Sequence, residues 1–75
     1  MTMQVAATNQ RQKIPAIWLV EFEGITDDEL AWVSTNGATA ELRAYAGWEL
    51  EYRESFGIEV GYDEASNEVK RRRTR

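Results

Sequence analysis

The chain contains no cysteine and no histidine, and at 75 residues that leaves it one way to hold a fold. No disulfide can staple it, and no thiolate or imidazole can anchor a structural zinc, so it must rely on a packed apolar core. A single domain of this size buries only about 60% of the surface that its unfolded chain exposes, which makes its stability marginal. The same two absences remove every Ser-His triad and the commonest general base. Three Trp, three Tyr and two Phe must then supply much of the core, because each aromatic ring buries a large area.

The positions of these aromatics organise the chain. Residues 1–13 are mostly Gln, Asn, Thr and Ala with two cations, and read as a flexible arm that extends to Pro15. In Ala16–Glu23, Trp18, Val20 and Phe22 alternate with Ile17, Leu19, Glu21 and Glu23, which predicts a strand ending at Gly24. Residues 25–29 read as an acidic connection. Leu30-Ala31-Trp32-Val33-Ser34 is a second short apolar run, expected as a neighbouring strand. Asn36-Gly37 is a hairpin signal, but the residues after it are strong helix formers. We therefore expect a helix from about Ala38 to Ser55, capped by Thr35 or Asn36, with Ala38, Leu42, Tyr45, Trp48, Tyr52 and Phe56 as its apolar stripe. Trp48–Arg53 also alternates as a strand, and Gly47 offers an earlier helix end, so both readings of 48–54 stay open. Gly57–Tyr62 predicts a strand with Ile58, Val60 and Tyr62 inward. Residues 68–75 are either a disordered tail or a charged edge strand.

The expected fold is α+β: a small ββαβ domain over residues 16–62, one helix packed on a three-stranded sheet. A flexible arm, 1–15, precedes it, and an acidic turn and basic tail, 63–75, follow. No apolar run reaches the length a bilayer needs, and residues 1–13 lack the pattern of a secretory signal. The expectation is a soluble cytoplasmic protein with no membrane partner.

Charge is segregated along the chain. Residues 16–68 hold 13 carboxylates against Arg43 and Arg53, a balance of −11, whereas 70–75 carry five cations. Such segregation favours a charged partner. Glu21, Glu23, Asp27, Asp28, Glu29, Glu49, Glu51, Glu54, Glu59, Asp63 and Glu64 read as an acidic surface. The first eight of these form the expected partner-binding face, docking on a basic surface of a protein that handles nucleic acid. Plain solubility is the bland explanation of the same residues. Lys70, Arg71, Arg72, Arg73 and Arg75 read as a second contact, to phosphates or to an acidic protein, or as a segment folded back on this body. Trp32, Tyr45, Trp48 and Tyr52 read as core, because base-stacking platforms sit in basic grooves and here the neighbours are Glu49, Glu51 and Glu54.

No catalytic constellation, metal site or cofactor loop is present in the sequence. Asp27-Asp28 and Asp63-Glu64 are adjacent pairs expected in open loops, 63–68 lacks calcium-loop spacing, and there is no Gly-rich phosphate loop or Ser-centred elbow. The expectation is a non-enzymatic protein without metal or cofactor.

The order of Ile17-Trp18-Leu19-Val20, an acidic turn, a second strand, a helix with Ala46-Gly47-Trp48 and then Gly57-Ile58-Glu59-Val60 resembles the small inhibitor of bacterial RNA polymerase carried by T7-like phages. That family has an Ala-x-Trp element in its helix, followed by a Gly-aromatic-Glu-Val strand. The resemblance spans about residues 17–60. It implies a phage-encoded binder that inhibits host RNA polymerase, acting in the host cytoplasm. The family's polymerase-engaging arginines follow its last strand, where this chain has Gly61-Tyr62-Asp63-Glu64; that contact carries over only to Arg71–Arg73. Two further expectations compete: a virion structural or cement protein using 1–13 and 63–75 as assembly arms, and a weak nucleic-acid binder acting through the basic tail.

Overall fold

The computed structural model describes residues 3–73, apart from the side chains of residues 3–6. Its longest element follows directly from local sequence. Thr39 caps the helix α4 (Ala40–Phe56), its hydroxyl accepting the Leu42 N–H at 3.0 Å. Gly57 ends the helix at φ 64°, a left-handed conformation that glycine adopts without a Cβ penalty. The cap is Thr39 rather than Thr35 or Asn36, and the helix runs through Gly47. Of the two periodicities in 48–54, the helical one holds because only it places Glu49 and Arg53 one turn apart, at 3.2 Å.

Three further helices replace the expected strands and arm: α1 (Met3–Arg11), α2 (Ala16–Glu23) and α3 (Asp27–Asn36). A single hairpin of β1 (Ile58–Asp63) and β2 (Glu68–Arg73) completes the chain. The ββαβ expectation, one helix on a three-stranded sheet, is therefore incorrect: there are four helices and two strands among the described residues. Each miss has a local cause. The run 16–23 is apolar on nearly all sides, so its alternation carries little information. Pro15 sets φ to −55°, and its carbonyl accepts from the N–H groups of Trp18 and Leu19, which starts a helix. Trp18, Leu19 and Phe22 then face the core, while Val20, expected beside Trp18 and Phe22, is exposed with Ile17. In α3 the Thr26 hydroxyl accepts the Glu29 N–H at 3.1 Å. Thr26-Asp27-Asp28-Glu29 is thus a capping sequence with acid groups in the first turn, not a loop.

The expected flexible arm is also corrected, since residues 3–11 form α1, packed on α4 with Ala7 buried. Ile14, in the connection that follows, joins Phe22, Leu30 and Ala46 in the buried cluster, with Trp18, Ile25, Leu42, Tyr45, Trp48 and Leu50 packed around it. The basic segment is not a loose tail as far as Arg73: it is β2, antiparallel to β1 with Val60 opposite Arg71 and Gly61 opposite Lys70. The hairpin rests on α3 and α4 through β1. Gly37 closes α3 where there is no room for a side chain, because a Cβ there would lie 2.7 Å from the Val33 carbonyl oxygen.

Candidate functional site

The buried line of α4 passes through Ala46, Glu49 and Arg53, not along the aromatic stripe read from the sequence. Two charged side chains therefore lie at the centre of the molecule. Arg53 donates from Nε to Glu49 (3.2 Å), from Nη1 to Asp27 (2.9 Å) and to the Ile25 carbonyl (3.0 Å), and from Nη2 to the Phe22 carbonyl (2.6 Å). Glu49 accepts a second arginine, Arg11, at 2.7 Å, and the Arg11 guanidinium lies 4.2 Å from the centre of the Tyr52 ring. Asp27 accepts the Val60 N–H at 3.1 Å with its other oxygen. Two cations and two carboxylates thus cancel, and every carboxylate oxygen in the set has a donor. Buried charge needs such pairing. The set ties α1, the α2–α3 connection, α3, α4 and β1 together.

This network sorts the expected acidic face. Glu49 is 1% exposed and structural. The Asp27 side chain is 35% exposed and shared between the network and the surface. Glu21, Glu23, Asp28, Glu29, Glu51 and Glu54 are all exposed. An open groove of about 790 Å³ brings Asp27, Glu51, Glu54 and Glu59 together over Trp48, Leu50 and Ile58. Among the described residues, the one cation lining the groove is Arg53, itself buried and internally paired. A smaller depression of about 240 Å³ shares Asp27 and Glu59 with the groove and adds Asp28 and the cation Arg72, so carboxylates continue across β1 to the start of α3 with one arginine among them. Glu21, Glu23 and Glu29 line neither. Glu59, outside the eight residues expected as the binding face, is at the junction of the two. Its signal was its place in the alternating run 57–62, with Glu59 opposite in phase to the apolar residues.

Of the two readings of the basic segment, the charged edge strand is the one found over residues 68–73. Lys70, Arg71, Arg72 and Arg73 are exposed on β2; Arg75 lies outside the described residues. Lys70 pairs with Asp63 at 3.6 Å and Arg72 with Glu59 at 3.8 Å. Across residues 58–73, Glu59, Asp63, Glu64 and Glu68 balance the four cations, so the hairpin is neutral. The net negative charge of the described residues is carried by the helices and their connections, where nine carboxylates face four cations. Among the aromatics, Tyr45 and Trp48 pack together at 5.7 Å and Tyr52 lies beneath Arg11, whereas Trp32 is 62% exposed on α3.

Among the described residues, no group of three or more carboxylates is close enough to hold a metal ion, and no helix is long and apolar enough to cross a membrane. No protein-family model, no curated protein and no solved structure matches this chain.

Proposed function

We propose that this protein is a non-enzymatic binding module whose acidic groove docks on a basic surface of a nucleic-acid-handling protein, such as RNA polymerase, and inhibits it by occupying the place of nucleic acid. The observation that carries this reading is the groove itself. Asp27, Glu51, Glu54 and Glu59 converge over an apolar floor; Asp27 is neutralised by Arg53 and Glu59 lies 3.8 Å from Arg72, so Glu51 and Glu54, with no ion pair among the described residues, carry its free negative charge. Carboxylates so grouped attract a cationic surface and speed the encounter, and Trp48, Leu50 and Ile58 add apolar contact. Phage origin and a site of action in the host cytoplasm rest on the sequence resemblance alone.

The virion-cement and tail-binding readings draw on residues 1–13 and 63–75 and compete with this one. Residues 3–11 are packed as a helix, and the basic segment 68–73 belongs to a neutral hairpin.

Affinity capture from a bacterial lysate at low salt, followed by transcription assays with the purified polymerase, tests the proposal. Capture of a nucleic-acid enzyme that is inhibited, with loss of both effects in Glu51→Gln/Glu54→Gln/Glu59→Gln, supports it. Failure to recover any nucleic-acid enzyme at low salt refutes it.

A further inference from the structure

Strand β2 has a free side. The Val60 N–H turns away from β2 and donates to Asp27. In an antiparallel ladder, inward and outward backbone groups alternate. Val60 and Arg71 are therefore a non-hydrogen-bonded pair, and so are Tyr62 with Val69 and Ile58 with Arg73. The N–H and C=O groups of Val69, Arg71 and Arg73 consequently point out from the edge of a two-stranded sheet. All six residues of β2 are exposed. Among the described residues, no backbone hydrogen bond besides those of the β1 ladder reaches this edge.

The geometry points to capture of an extended acidic peptide by strand addition at β2. Main-chain hydrogen bonds to Val69, Arg71 and Arg73 supply the pairing, as in other strand-addition complexes. Arg71 and Arg73 supply the selectivity. They share one face of the strand, and among the described residues neither has an ion pair, whereas Lys70 and Arg72 on the other face pair with Asp63 and Glu59. Carboxylates two residues apart in the peptide would meet both arginines. The same charges oppose pairing with β2 of a second copy, because cation would face cation; basic residues are a common protection for an exposed edge. A peptide is favoured over nucleic acid because the groups free at this edge are main-chain donors and acceptors in strand register, which an extended peptide backbone can pair with. The inference rests on the β2 edge and is independent of the acidic groove.

An NMR titration of the full chain tests it. The probes are a ten-residue peptide alternating threonine and glutamate, the same peptide N-methylated at alternate residues, its lysine counterpart, and a single-stranded oligonucleotide of equal length. We expect the acidic peptide to shift the amide signals of Val69, Arg71 and Arg73 and to slow their hydrogen exchange. N-methylation should weaken binding on the order of tenfold through lost backbone bonds. Arg71→Ser/Arg73→Ser should weaken it by about two- to thirtyfold, the range for two exposed ion pairs. Glu51→Gln/Glu54→Gln should leave it unchanged, so the edge and groove readings fail separately. Equal binding of the N-methylated peptide, no binding of the acidic peptide, or preferential binding of the oligonucleotide would each overturn the proposal.

Discussion

Replacing Arg53 by Met keeps most of the side-chain volume and deletes the guanidinium at the centre of the fold. Four hydrogen bonds go with it, to Glu49, Asp27 and the carbonyls of Phe22 and Ile25. The two carboxylates are not left equally exposed to the loss. Glu49 is 1% exposed but retains Arg11, and Asp27 retains the Val60 N–H and is partly solvated. The two carbonyls lose a charged donor at a buried site. Summing the four bonds at their individual values would overshoot, since residues in one network are not additive. Breaking a buried pair from one side costs about 3–5 kcal/mol, against a total stability of roughly 4–11 kcal/mol for a chain of this length. The expected fall in Tm is about 12–40 °C. Urea and thermal denaturation followed by circular dichroism measure both quantities. The companion variant Glu49→Leu/Arg53→Met removes both buried charges. It frees Arg11, which is 25% exposed and can turn to water, so it should be more stable than Arg53→Met alone. A loss below about 1 kcal/mol for the single variant, or a double variant as unstable as the sum of its parts, would refute the assignment of the network as the centre of the fold.

Three other outcomes follow from the packing. Gly37→Ala places a Cβ 2.7 Å from the Val33 carbonyl and should cost about 1–3 kcal/mol; an unchanged urea midpoint would count against that contact. Val20→Ser should change stability by less than about 0.5 kcal/mol, because Val20 is 67% exposed. Phe22→Ala should cost about 3–5 kcal/mol, and equal losses for these two positions would restore the strand reading. Thr26→Ala removes the α3 cap and should cost about 1 kcal/mol, whereas Thr26→Ser should lose little of it.

The parts of this fold legible in the sequence are those with strong local signals. Helix α4 is rich in helix formers and ends at a glycine, and β1 follows its alternation as far as Val60, whereas Tyr62, expected inward, is exposed. Helices α2 and α3 depart from the strand expectation for different reasons. For α2, a short all-apolar run fits either period, and Trp18, Val20 and Phe22 alternate by coincidence. For α3 the signal was present: Thr26 followed three residues later by Glu29 is a capping pattern, obscured because three consecutive acids resembled a loop. The acidic groove was only partly legible. Glu51, Glu54 and Asp27 belong to it, Glu49 is buried beneath it, and Glu59 joins it because β1 packs beside α4.

By itself the sequence determined that a chain without cysteine or histidine must depend on an apolar core, that a helix begins near residue 38, and that acid groups outnumber bases. Tertiary structure decided what the charges do. Glu49 read as part of an acidic surface, yet it is buried against Arg53, which finds Phe22, Ile25 and Asp27 across 26 to 31 residues of chain. The sequence left the basic run at the end of the chain open between a loose tail and an edge strand, and strand register sets it against Glu59 and Asp63. Helix capping and side-chain periodicity act over a few residues, so the sequence displays them directly. A buried charge or a strand edge takes its meaning from neighbours that only the folded chain brings within reach.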